Sequence, residues 1–238
     1  MKLLNYTYII LLTFFILSCS KSEEGKITNS KDYNSYLNLD ENNTYKKAIE
    51  EDNFWSNKLQ STPNQFTYLS KIASAKTAMF SSKGNIEYLI TAEEKLKQLN
   101  QRNKYNNAGN LRALARNYIS QHRFNEALDL LLKAQKNGEK LKATHKMLFD
   151  VHLELGNYKQ AEEYLSKFKN SSDFDYLIRH SKWSDHKGDL SSAINFMEMA
   201  TKIAESSKNK DLKMWSYTNL ADFYGHNNQV EKSYQYYL

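Results

Sequence analysis

Beyond residue 42, the apolar positions of this chain recur three and four residues apart, in runs separated by short polar turns. That period belongs to amphipathic α-helices, since a half-buried strand would alternate every second residue. Two other patterns precede it. From about Tyr8 to Leu17 the chain is apolar but for Thr13, behind Lys2 and ahead of Ser18 and Cys19. From Ser20 to Asn42, "SKSEEGKITNSKDYNSYLNLDEN", it is polar and poor in large aliphatic residues. Such a stretch buries too little apolar surface to offset its ordering entropy, which predicts a flexible tether. "NTYKKAIEEDNFWSNKLQ" then reads as one lone amphipathic helix, ended before Pro63, the only proline.

The helical region is also self-similar. "RNYISQHRFNEALDLLLKAQ", "DVHLELGNYKQAEEYLSKFK", "SKWSDHKGDLSSAINFMEMA" and "ADFYGHNNQVEKSYQYYL" align on one template. An alanine follows each turn at Ala127, Ala161 and Ala193, with Ser233 in the last copy, at spacings of 34, 32 and 40 residues. A period of this size means stacked supersecondary units. A small residue in the first helix falls on Ala115, Ser181 and Ala221, with Phe149 as the departure. An aromatic stands four before the turn at Tyr118 and Tyr224, where His152 and Ser184 depart. The turn glycine is Gly156 or Gly188 and is replaced by His122 and Asn228. Small residues let the two axes of a hairpin approach, while large ones such as Leu131, Leu165, Met197 and Tyr237 fill the groove toward the next. A weaker unit with Gly84 at its turn and Phe80 in the aromatic slot precedes these.

This residue-by-residue pattern resembles the tetratricopeptide repeat (TPR) family, although the usual inter-repeat proline is missing. The resemblance implies an all-α, right-handed solenoid of antiparallel helix hairpins, preceded here by a signal peptide and flexible tether. The expected organisation is a signal peptide at 1–18, a lipidated tether at 19–42, and a lone helix and loop at 43–65. A degenerate hairpin follows at 66–107, then full repeats at 108–141, 142–173 and 174–213, and a truncated repeat at 214–238. The last helix is short and ends on "YQYYL". Because a solenoid needs a polar terminal cap, we expect the natural reading frame to continue beyond Leu238.

The apolar run before Cys19 is too short for a membrane span, which takes ~20 residues. Its layout is that of a secretory signal: a basic start, an apolar core and a small residue at the cleavage point. "ILSC", Ile16 to Cys19, resembles the lipobox of bacterial lipoproteins. That resemblance implies cleavage before Cys19, lipidation of its thiol, and anchoring to the outer membrane of a Gram-negative cell. Ser20 lacks the acidic character of an inner-membrane retention signal, and "SKSEE" resembles a tag for the cell surface. The single cysteine leaves none for a disulfide. With 33 basic and 27 acidic residues the net charge is +6. The signs alternate along the chain, which describes a solvated helical surface and not the clustered stripe of a nucleic-acid binder.

Chemistry is sparse. There is no HExxH, CxxC, acidic calcium loop, GxSxG or glycine-rich phosphate loop. The six histidines do not present metal-ligand spacing: His145 and His152 lie two turns apart, and His180 and His186 fall on different faces. No metal, cofactor or catalytic residue is therefore expected. What remains is the groove that, by the resemblance, the first helices line at their fifth, ninth and twelfth positions. Those slots hold Arg112, Arg116 and Ile119; Lys146, Asp150 and Leu153; Ile178, Lys182 and Asp185; and Thr218, Asp222 and Gly225. Mixed charge with aliphatic patches suits a protein segment better than a nucleic acid. The expected function is a non-enzymatic interaction scaffold for another envelope protein or peptide segment, tethered at Cys19. The alternatives are a component of an outer-membrane assembly or glycan- and nutrient-uptake complex, or a fragment of a larger TPR protein.

Overall fold

The computed structural model describes residues 27–37 and 43–238. Cys19, the apolar run before it and the remainder of the expected tether lie outside the described residues. The described chain holds twelve α-helices and one short 3₁₀ turn, with no strand among the described residues. After α1 (Ser30–Tyr33) and the 3₁₀ turn at Asn34–Tyr36 comes α2 (Asn43–Ser61). Five hairpins follow: α3 (Tyr68–Lys83) with α4 (Glu87–Arg102), α5 (Ala108–Ser120) with α6 (Phe124–Asn137), and α7 (Leu141–Glu154) with α8 (Tyr158–Ser166). The last two are α9 (Phe174–His186) with α10 (Leu190–Ser206), and α11 (Lys210–His226) with α12 (Val230–Tyr237). From α2 onward each helix packs on the next, and the first helix α7 also touches α5 and α9. Short connections force each pair antiparallel and the stack linear.

The template residues explain this packing. Ala127, Ala161 and Ala193 are fully buried, as are Ala115, Ser181 and Ala221 on the facing helices. Ser181 shows how close the axes come: its hydroxyl donates to the Ala193 carbonyl across the hairpin at 2.6 Å. In the last hairpin Gly225 faces Ser233, and a Cβ on Gly225 would lie 3.3 Å from the serine hydroxyl. Phe149 occupies the small-residue slot of its hairpin, yet it too is fully buried.

All four repeat turns close in the same way. The turn residue has positive φ whether it is Gly156 (75°), Gly188 (77°), His122 (57°) or Asn228 (56°). Its amide donates back three residues, and the next amide donates back five, as from Arg123 to Tyr118 and from Asn157 to His152. Asp189 to Ser184 and Gln229 to Tyr224 repeat the bond. This left-handed helix stop satisfies the last free carbonyls and favours glycine because a Cβ is crowded there. Asparagine tolerates it and histidine does so less well. His122→Gly should therefore raise stability by ~0.5–1 kcal/mol, less whatever is lost with the edge contact of His122 on Phe124. Urea denaturation checks the sign, and a lower midpoint would show that the ring contact outweighs the backbone strain.

With no proline between repeats, side-chain caps start three of the first helices, α5, α9 and α11. Asn107 accepts from the Asn110 amide, Asp173 from Tyr176 and Asn209 from Leu212, each cap satisfying an amide the helix leaves open. Polar clasps join α4 to the next hairpin. Asn117 donates to the Leu89 carbonyl at 3.0 Å, and Glu93 takes Lys97, Gln121 and Arg123.

Two expectations about the N-terminal part change. The helix expected to stand alone, α2, packs along α3 through buried Ala48, an Asp52–Lys76 pair at 2.8 Å and the Trp55–Tyr68 ring contact. Part of the stretch expected to be a flexible tether forms a helical turn, because Asn29 caps it by accepting from the Lys31 amide at 3.1 Å. The same turn meets the far end of the chain, where the Asn29 amide donates to the Tyr234 hydroxyl and that hydroxyl reaches Asp32 at 3.0 Å. Residues 27–37 nevertheless stay exposed. Local capping and one tyrosine order the turn without any apolar burial.

Candidate functional site: a groove along the first helices

Three open cavities run along the first helices and share lining residues. The first, of 250 Å³, is bordered by hydroxyls of α3, including Ser70, Ser74 and Thr77, and by Arg116 of α5. The second, of 500 Å³, is bordered by Arg116, Lys140, Lys142, Lys146 and Arg179, with Asp175 the one carboxylate. The third, of 390 Å³, runs from Arg179 to Ile178, Met197, Trp215 and Phe223, with Asp150 and Lys182 at its rim. Arg116 joins the first two and Arg179 joins the last two. The series is one groove, polar at the start, cationic in the middle and apolar toward α11.

The residues expected to line a groove divide three ways. Arg116, Lys146, Asp150 and Lys182 do border it. Arg112 does not lie open: its side chain is buried and donates to the Glu139 carbonyl at 2.9 Å and the Thr144 hydroxyl at 3.1 Å. It bridges α5 to the start of α7, where hydrogen bonds make up for the water it loses. Asp185 is exposed at the end of α9, and Asp222, also exposed, accepts from the Tyr237 hydroxyl; neither borders the three cavities. In α11 the register that faces the groove is one residue later than expected. Trp215, Asn219 and Phe223 face the third cavity, Thr218 borders a separate cavity with Met214 and Tyr236, and Gly225 is taken up in hairpin packing.

Charges in the ninth slots do not pair with one another. Asp150 takes Arg179 in a fork of 2.7 and 3.2 Å, and Arg179 also donates to the Lys146 and Asp175 carbonyls. Burial pushes the Asp150 carboxyl up, against the pull of Arg179 and Lys182. Lys182 takes Glu154 at 2.6 Å. Lys146 lies between Asp173 at 3.7 Å and Asp175, and Lys142 takes Asp173 at 2.6 Å. Burial would raise Asp173, but Lys142, Lys146 and the Tyr176 amide outweigh it and hold the group below its usual value. Position-by-position reasoning missed Arg179, Lys140, Lys142, Trp215 and Phe223. The cluster "EKLKATHK" was the available signal, but its first two lysines precede or open α7, outside the helix slots of the template.

Three of the histidines pack against aromatic rings. His145 and His152 both meet the ring of Tyr164, at 5.6 and 5.4 Å between centroids, and His180 stacks on Tyr176 and Phe196. Burial lowers the pKa of all three, helped at His145 by Lys167 and at His180 by Lys187 and Lys169. No cluster of three or more metal-ligating side chains occurs among the described residues. Because the folded pKa values lie below ~6.5, the unfolded chain binds more protons on acidification. Stability should be full above that value and fall as the pH drops through ~6.5 toward the folded pKa values. The ion-paired carboxylates Glu93 and Asp173, held low, withdraw their share only below ~4.5. Melting temperature measured from pH 7.5 to 5 checks this, and a flat profile would contradict it.

No family model matches the sequence, and no curated protein matches it. Solved structures do match. The crystal structure of the APC/C hetero-tetramer Cut9–Hcn1 superposes with a TM-score of 0.63 at 15% identity, over 81% of this chain and 35% of that one. This chain therefore spans about a third of its length. BtubC (BKLC) from P. vanneervenii superposes with a TM-score of 0.52 at 13% identity, over 81% of this chain and 86% of that one. At such identities the shared property is the fold, and the protein is an all-α solenoid of TPR-like hairpins.

Proposed function

We propose that this protein is a non-enzymatic interaction scaffold whose groove along α5, α7, α9 and α11 receives a segment of another protein. One observation carries the reading: the three cavities join into a continuous groove that passes from hydroxyl-lined through cationic to aromatic. Such a sequence of surfaces suits an extended chain, which offers different side chains along its length, better than a compact small molecule. The Cut9–Hcn1 structure is itself of a hetero-tetramer, so this fold serves protein assembly there. The signal-like run ending at Cys19 supports a lipid tether to the outer membrane, with the partner in the cell envelope. No helix among the described residues is long and apolar enough to cross a membrane.

Site-specific photocrosslinking in cells tests the groove. A crosslinker at Arg116 or Asn219 should trap discrete protein species, while one at Lys133, exposed on the second helix α6, should not. Equal trapping from both faces, or none from either, would sink the groove reading. The tether is tested separately: Cys19→Ser should leave an uncleaved precursor that takes up no labelled fatty acid. Unchanged processing and labelling would refute it.

A further inference from the structure

We propose, resting on that groove reading, that the partner segment is an extended peptide carrying an acidic side chain and, about five or six residues away, a large apolar one. The charge balance of the middle cavity carries the first half. Five cations border it, and the carboxylates they meet are Asp150, Asp173 and Asp175. Lys142, Lys146 and Arg179 are engaged by those three, whereas Arg116 and Lys140 meet no carboxylate among the described residues. Five cations against three carboxylates leave the cavity positive, and the two unengaged side chains border its open space. A carboxylate entering there gains charge-assisted hydrogen bonds with no internal ion pair to break.

The adjoining cavity carries the second half. Trp215 is 42% exposed, held edge-on by Phe174 at 6.0 Å between centroids. With Ile178, Met197 and Phe223 it makes an apolar recess that a single large side chain would fill and dry. Arg179 lines both cavities, and the sites made by Arg116 with Lys140 and by Trp215 with Phe223 are two packed helices apart, with α7 and α9 between them. Neighbouring helix axes lie ~8–10 Å apart and an extended chain advances ~3.3 Å per residue, which sets the spacing at about five or six residues. A polynucleotide would meet only the cationic half and leave the aromatic recess open, so the observations favour a peptide.

Selection of a random dodecapeptide phage library on the immobilised full-length chain tests this. The expected winners carry Asp or Glu about five or six residues from Phe, Trp, Leu or Met, and bind more weakly as salt rises. As synthetic peptides they should lose about tenfold or more in affinity for Arg116→Glu and for Lys140→Glu, and a similar amount for Trp215→Ser. Arg116 and Lys140 are exposed and make no ion pair, so helicity and melting temperature should hold in those variants and show that the loss is local. Winners without acidic residues that still depend on Trp215 would overturn the acidic half while leaving the groove reading standing. Winners that bind the three variants as well as the unaltered chain, or a selection that yields none, would overturn the inference and the groove reading together. So would heparin binding that Arg116→Glu abolishes in the absence of any groove-dependent peptide.

Discussion

Replacing Phe149 with alanine should cost ~3–5 kcal/mol, enough to leave the protein marginal, since domains are stable by ~5–15 kcal/mol. The ring is fully buried at the position where the neighbouring hairpins carry Ala115, Ser181 and Ala221. Those hairpins keep their axes close with small side chains, whereas the α7–α8 hairpin has no small residue there and fills the space with a ring. Truncation leaves a void whose lining loses its contacts, in addition to the lost transfer energy. Phe149→Leu should cost far less, because most of the volume stays. In a stack where each hairpin touches its neighbours, the damage should also be local. Hydrogen exchange should accelerate most in α7 and α8, and least in α3 and α4. Uniform acceleration along the chain would mean that the solenoid unfolds as a single unit.

Arg179→Leu should have the next largest effect, ~2–4 kcal/mol, near the lower end of the cost of breaking a buried pair because both partners keep some exposure. Arg179 engages Asp150 through Nε and Nη2, shares Nε with the Lys146 carbonyl, and donates from Nη1 to the Asp175 carbonyl. Without it Asp150 loses its partner in a site where burial already pushes its carboxyl up. The variant should therefore destabilise most at neutral pH and recover part of its loss on mild acidification, when Asp150 takes a proton. Adding Asp150→Asn should restore much of the stability by removing the orphaned charge. Urea denaturation of the two single variants and the double variant measures the coupling. Additive losses would show that the pair contributes little beyond its separate contacts.

Much of the hairpin geometry is local and was legible in the residues. The alanines after each turn, the small residues opposite them and the positions of the turns are consequences of helix period and backbone sterics. Even the departures His122 and Asn228 hold the left-handed conformation their positions require, because the helix stop is closed by main-chain hydrogen bonds. Asn107, Asp173 and Asn209 start helices by the same local logic, in place of the missing proline.

The groove was legible only as a set of candidates. A slot rule places Arg112 and Arg116 on one face, four residues apart, but cannot tell that the first is covered by the loop at Glu139 and the second is not. It assigned Thr218 to the groove, whereas the last hairpin presents Trp215, Asn219 and Phe223. It could not pair Asp150 with Arg179, a partner 29 residues away, nor bring Asn29 to Tyr234, 205 residues away. The sequence by itself determined the helices, their ends and their pairing into hairpins, because these depend on neighbours within a few turns. Only the tertiary structure decided which charges cancel and which face stays open, because those depend on how far each hairpin rotates on the next. That rotation is set by the volumes packed between them, Leu131, Leu165 and Met197 among them, and no residue's own neighbours in sequence specify it.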